Sequence, residues 1–491
     1  MALMNELQDI ARREAAPEAA GGLRRGTLGA GFITLLVISA ASPLSVVAGG
    51  FPLGIMLGNG AGTPALVVAA LVLLLLFAAG YTAMATCVTS AGGFYAMVAQ
   101  GLGGIAAGAA STVAVLGYVT LQFGLYGLLG AVTSESLGSQ LGVAIPWWGC
   151  ALVAMATVAY FGYHQIDFSA RVLAFFVVAE YVVVLTLDCL ILGQGGAQGI
   201  DVRSFSPRAI SMGNPFIGLL FCFAAFIGFE ATTIYSEEAK EPRRSIPLAT
   251  YAALILVGCF YSFSLWCLVL GAGADRVVAT ISALADPTNF LYTLSDRYAG
   301  HGLTTLLRAM FVISIYAGLI AFHNSTARYF YSMGREGLLP AALGRTHAKY
   351  RSPHVGSMLQ TVLCAIVVVA FAVAKADPVL TLFAWLSNLA TVCVLVLMIA
   401  TAASVIRFFR VDPRGHGRMR TMLLPGLGAL GLCVVLVLAV LNFHVLTGAS
   451  RGISHGLVAS VPVAVVVGAW MAARLRRREP ARYRRLGQNR P

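Results

Sequence analysis

Apolar runs of about twenty residues recur along almost the whole chain, and each is long enough to cross roughly 30 Å of hydrocarbon as a helix. That recurrence leaves the chain few other ways to fold. We read about twelve spans, centred near Val37, Leu73, Val115, Met155, Val183, Phe223, Ile255, Ile315, Ile366, Val394, Val434 and Val465. The expected class is all-α, a polytopic membrane protein with the lipid bilayer as its solvent. No stretch remains for a soluble domain, and the longest connections lie around Ser204 and Ala285. Only 11% of the residues are charged, where a soluble domain carries roughly a quarter.

The net charge of +13 raises nucleic acid as a partner, but the placement of the charge argues against it. Arginine and lysine gather on one side: Arg12, Arg13, Arg24 and Arg25, then Arg171, then Lys240, Arg243 and Arg244, then Arg328, Arg335, Arg345, Lys349 and Arg351. Arg407, Arg410, Arg414, Arg418 and Arg420 follow, and then the run that starts at Arg474 and continues through Arg485 to Arg490. The opposite loops hold Arg203, Arg208, Arg276, Arg297, Lys375 and Arg451. This positive-inside bias predicts cytoplasmic N- and C-termini and an even number of spans; the cell membrane is the expected location. The first 27 residues lack an apolar signal core, so the first span is expected to be its own targeting signal. The nine cysteines fall in or beside apolar runs and read as buried thiols. No phosphate loop, zinc motif or nucleophile elbow stands out, which weighs against an enzyme and predicts no cofactor and no metal.

Two spans are interrupted. In the first, Phe32 to Ile38 runs into Ser39-Ala-Ala-Ser-Pro43 before Leu44 resumes. Proline lacks a donor and disfavours helix in the residue before it, yet it starts a helix well. A break at Ala41-Ser42 with a second half-helix from Pro43 follows. The sixth span breaks at Ile227-Gly228-Phe229 and carries Glu230 near mid-membrane depth, where a carboxylate costs a few kcal/mol. Broken spans at corresponding positions of two halves point to the site of a secondary transporter. Five spans per half also inverts the second half. The glycines of the third span, from Gly108 to Gly130, read as close helix packing.

Three blocks then carry a resemblance: Ala91-Gly-Gly-Phe-Tyr95, Phe226-Ile-Gly-Phe-Glu230 with Glu237-Glu-Ala-Lys-Glu-Pro-Arg-Arg-Ser-Ile-Pro247, and Asn324 through Pro340. In that order the chain resembles the amino acid–polyamine–organocation permeases, over roughly residues 28 to 410. The resemblance implies a leucine-transporter-like five-plus-five inverted repeat with two additional C-terminal helices. It also implies alternating access and a small-molecule cargo, an amino acid or related amine. The expected division is a tail at 1–27, repeats at 28–200 and 201–411, two helices within 412–475 and a basic tail at 476–491. Two departures stand out. Ala41-Ser42-Pro43 replaces the Gly-Ser-Gly-like element of many members, and Glu180 stands where several proton-coupled members carry a lysine.

A zwitterionic cargo needs donors for its carboxylate and acceptors for its ammonium. The break of span one, with Ser39, Ala41 and Ser42, and the second half-helix beyond it, with Leu44 and Ser45, offer N–H groups at a positive dipole end. The break of span six, with Ala225, Phe226, Gly228, Phe229 and Glu230, offers carbonyls. Phe226 or Phe229 is either a gate or plain packing. Glu230 either steers cationic groups and takes a proton or holds the break open. Glu180, His323 and Asn324 are the other coupling candidates, each with a purely structural alternative. Asp188 reads as interfacial, and Ser325 and Thr326 as ion ligands or as hydroxyls bonded to their own helix. Proton is the expected coupling ion, with sodium open. Glu237, Glu238, Lys240, Arg243 and Arg244, facing Arg328 and Arg335, read as a cytoplasmic latch of exposed, individually weak pairs. The functional expectation is a proton-coupled amino acid permease; the alternatives are an exchanger or an amine and polyamine carrier.

Overall fold

The computed structural model describes residues 26, 28–88, 90, 92–164, 170–350 and 352–488. The expected tail at 1–27, with Arg12, Arg13, Arg24 and Arg25, therefore lies almost wholly outside the described residues. So do Ala91, Arg351, Arg490 and the side chain of Arg171.

The chain is built from helices. The first is α1 (Ala30–Ala41), followed by a helical run α2 (43–59). After it come α3 (Thr63–Ala85), the short α4 (Phe94–Leu102), α5 (Gly104–Leu141), α6 (Trp147–His164) and α7 (Ala170–Gly193). The second half begins with α8 (Pro215–Ala225) and the single turn α9 (Ala231–Ile234). It continues through α10 (Pro242–Ala272), α11 (His301–Glu336), α12 (His354–Val373) and α13 (Pro378–Val411). Then α14 (Met419–Leu441), α15 (Arg451–Arg478) and α16 (Pro480–Tyr483) close the chain. Outside the helices, one parallel bridge joins Leu28 to Ala239.

Nine stretches among the described residues are long and apolar enough to cross a membrane, where the sequence reading has twelve spans. The difference has identifiable sources. One stretch, Ala30–Ala85, runs for 56 residues and merges two expected spans; as one straight helix it would measure about 84 Å. The chain turns at Gly58–Gly60, where Gly58 leaves helical geometry and Gly60 has φ +59°. Trp147–His164 is an 18-residue helix outside that set. Span six is represented by the short apolar helix Pro215–Ala225, because its break removes the rest.

The breaks sit where proline and glycine predict them. Ser42 adopts the left-handed conformation (φ 45°, ψ 68°), and its N–H closes α1 on the carbonyls of Ile38 and Ser39. Its hydroxyl donates to the Ser39 carbonyl at 3.1 Å, offsetting part of a conformation that costs roughly 1–2 kcal/mol for a non-glycine residue. Pro43 then starts α2 without a donor to lose. In span six the helix ends at Ala225, and Gly228 takes φ +116°, a geometry that glycine alone adopts without strain. A Cβ on Gly228 would lie 3.3 Å from the Ala40 Cβ and 3.4 Å from the Ala41 nitrogen. The two broken helices thus meet at their breaks. Around them, α1 packs on α10 and α11, and α5 runs against α13 and α15. The expected small-residue packing of α5 is seen in Gly108 against Gly468, Gly117 against Cys393 and Gly124 against Ser387.

Candidate functional site

A cavity of about 740 Å³, its mouth included, opens at the junction of the two breaks. Ala40, Ala41, Ser42 and Ser45 form one side, and Ala224, Ala225 and Ile227 another. Leu121, Leu125 and Leu128 of α5 supply an apolar wall, with Phe221, Phe322 and Phe383. Ser387, Asn388 and Thr391 of α13 add uncharged polar groups. The sequence reading missed both α5 and α13. The signal was present in α13, where three hydrogen-bonding residues interrupt an apolar span at i, i+1 and i+4.

The donors at the start of α2 are already engaged. The N–H of Leu44 points at the Glu180 carboxylate (3.4 Å), and the N–H of Ser45 at the Ser314 hydroxyl (3.3 Å). Ser314 also donates to Glu180 at 2.9 Å, and the Ser45 hydroxyl donates to Ser314 at 3.1 Å. Glu180, 3% exposed, therefore occupies the positive N-terminal end of the second half-helix. The hydroxyl of Gly318's neighbour across the helix pair, Ser42, fills the space that a Cβ at Gly318 would need, so α11 approaches the break closely.

Glu230 closes the other break. Its carboxylate accepts from the Tyr118 hydroxyl at 2.6 Å and from the Gly228 N–H at 2.9 Å, and Tyr81 donates to its backbone carbonyl at 2.8 Å. With Gly228 turned to Glu230 and the Phe229 N–H turned to the Phe226 carbonyl, the Ala225 carbonyl loses the donor that a continuous helix would supply. Glu230 itself is 1% exposed and lies off the cavity wall. Phe226 and Phe229 also lie off it. They line a small separate cleft with Met398 and pack on Tyr261, Phe77 and Tyr81.

The remaining candidates are placed just as definitely. Ser39 is buried behind the break. His323 lies between Gln122 (3.2 Å) and the Ser357 hydroxyl (2.7 Å), within a buried network that includes Gln360. Asn324 is half-buried and off the cavity wall. Thr326 bonds the Phe322 carbonyl of its own helix at 2.8 Å. Asp188 is fully buried, not interfacial, and accepts from the Ser264 hydroxyl at 2.6 Å. Its span is packed against α10 there, which an apolar run read in isolation does not reveal.

At the basic end of the bundle, Leu28 and residues 238–240 pair through their backbones (3.0 and 2.8 Å), tying the start of α1 to the exit of span six. Arg328 meets Glu238 at 3.0 Å, each side chain 7% exposed, with the guanidinium 4.9 Å from the centre of the Tyr235 ring. Arg335 lies 3.8 Å from Glu237. The two ion pairs are thus buried or partly buried, where the sequence reading expected exposed ones. Lys240, Arg243 and Arg244 are exposed and form no ion pair among the described residues. The end of the chain folds back here. Arg482 donates to the Arg335 carbonyl at 3.5 Å, the Gly487 N–H reaches Glu336 at 2.9 Å, and Leu486 is buried.

Comparison with known proteins gives this arrangement its family. The chain is 27% identical to the branched-chain amino acid permease BcaP of Bacillus subtilis over 59% of its own length and 58% of that protein. It is 25% identical to the low-affinity putrescine importer PlaP of Escherichia coli K12, over 44% of its length and 48% of the importer's. It is 28% identical to human cationic amino acid transporter 4, over 36% and 26%. The matched stretches therefore span less than two thirds of each of these relatives. A solved structure, the Eremococcus coleocola manganese transporter in complex with an aromatic bis-isothiourea substituted compound, superposes with a TM-score of 0.54 over 94% of this chain and 99% of that one. At 15% identity this likeness concerns the fold, which is leucine-transporter-like with two broken helices at its centre. The family model described as "Amino acid permease" matches residues 43–480, nearly the whole helical body, and the chain belongs to the amino acid permease family.

Proposed function

We propose that the chain is a secondary active permease of the cell membrane, with cytoplasmic termini, that carries amino acids inward by alternating access coupled to protons. The observation that carries this reading is the Glu180 carboxylate on the Leu44 N–H, backed by Ser314. Cargo arrives with a carboxylate of its own, and the two anions compete for the same donor. Protonation of Glu180 weakens its hold on that N–H and frees the half-helix for the cargo, so proton and cargo are taken up together. Among the described residues, Tyr181, beside it on α7, and Tyr261 of α10, whose hydroxyl donates to the Ala41 carbonyl at 3.4 Å, are ionisable side chains near Glu180. The cargo ammonium is assigned to the Ala225 carbonyl, left open by the second break. The Leu28, Glu238 and Arg328 contacts form the closed inner gate.

The amine-carrier alternative gains little support, since Glu230 is held by Tyr118 and Gly228 away from the cavity. An exchanger of the same fold is separated from a symporter by flux. Purified protein in liposomes should accumulate labelled amino acid under an inward proton gradient. Glu180→Gln should exchange amino acid across the membrane yet accumulate none in response to that gradient. Gradient-driven accumulation by the variant equal to that of the parent would refute coupling at Glu180.

A further inference from the structure

We infer that the cavity selects neutral amino acids with bulky apolar side chains and rejects cationic amino acids and polyamines; the inference rests on the permease reading above.

The chemistry of the wall carries it. Among the described residues, no aspartate, glutamate, lysine, arginine or histidine lines the cavity. Glu180, Glu230, Asp188 and His323 are buried in the surrounding helices, and each is held by other partners. Glu180 holds Leu44 and Ser314, Glu230 holds Tyr118 and Gly228, Asp188 holds Ser264, and His323 lies between Gln122 and Ser357. A second ammonium on a cargo side chain would therefore enter the cavity without a counter-charge. An unpaired charge is the least tolerable group to take out of water.

The same wall favours hydrocarbon. Leu121, Leu125 and Leu128 stand on one face of α5 at helical spacing and present a continuous apolar strip, and Phe322 and Phe383 add aromatic surface. The groups that suit a zwitterion are concentrated at the breaks, in Ser42, Ser45 and the Ala225 carbonyl. A cargo of this class thus finds its polar head at the junction and its side chain against the strip. A small side chain forgoes most of that contact, and each methylene contributes a factor of about ten or more in such pockets.

The test uses the full chain in liposomes preloaded with leucine and follows counterflow of labelled leucine, alongside melting temperature in detergent. Leucine, isoleucine and phenylalanine should compete in one concentration range, and alanine at least about tenfold more weakly. Lysine, arginine and putrescine should neither compete nor raise the melting temperature. Leu125→Asp, which puts a carboxylate on the strip, should lose leucine competition and gain a melting shift with lysine. Competition by lysine, arginine or putrescine equal to that of leucine overturns the inference, as does alanine matching leucine. The carrier reading fails separately. If leucine raises the melting temperature and no compound is exchanged, that reading falls and the selectivity stands. If no compound gives either signal, both fall.

Discussion

Replacing Glu238 by glutamine should open the proposed inner gate. The Arg328–Glu238 pair is 3.0 Å long and both side chains are 7% exposed. At an effective dielectric near 20, two charges at this distance attract by about 5 kcal/mol, much of which offsets their desolvation. Removing one partner of a buried pair costs about 3–5 kcal/mol. We take the low end, about 3, because the Tyr235 face still lies against the guanidinium at 4.9 Å. That loss falls on the closed state alone if the pair separates on opening. It then shifts the closed-to-open ratio by about 150-fold. Hydrogen–deuterium exchange reads the effect directly, because the Leu28 and Lys240 amides bridge the same contact. Their protection should fall by about two orders of magnitude in Glu238→Gln. The double variant Arg328→Gln with Glu238→Gln removes both charges and should recover part of it. Unchanged protection in the single variant, or a double variant as exposed as the sum of the singles, would refute the pair as the gate's holding contact.

Two other substitutions test different parts of the molecule. Gly228→Ala forces an L-residue into φ +116° with its Cβ 3.3 Å from Ala40; a cost of about 1–3 kcal/mol should appear as a lower melting temperature and at least tenfold slower uptake, and parental values of both would show the break to be tolerant. Outside the membrane, burial raises the Asp286 carboxyl above its ordinary range while its oxygen accepts from the Thr288 N–H at 2.8 Å. With the folded pKa above the unfolded one, this group's contribution to stability is full below the unfolded value and is lost as pH rises through the folded value. Asp286→Asn keeps an acceptor and removes the titration. Its melting temperature should fall less steeply than the parent's across that window, and identical slopes would exclude the group.

Both breaks were legible because they are matters of local chain chemistry. Pro43 cannot continue a hydrogen-bond ladder, and Gly228 is the residue that tolerates positive φ, so their positions needed no neighbours. What fills the space around them was not legible. Glu180 meets Leu44 across 136 residues of sequence, and nothing local to either predicts the pairing. The cavity wall shows the same limit. Leu125 and Ser387 face the cavity from spans in which no site residue was expected, since facing depends on how α5 and α13 are rotated in the bundle. Phe226 and Phe229 drew attention by lying at the break, yet the turn aims them into an aromatic cluster. Asp188 was misplaced because depth along a span says little about what packs beside it.

The returning end of the chain has a practical corollary. Residues 482–487 are fastened to Arg335 and Glu336, about two turns along α11 from Arg328. A purification handle or fluorescent reporter appended beyond Pro491 would tug on that fastening, and slower cycling of such a fusion would report on the attachment and not on the carrier.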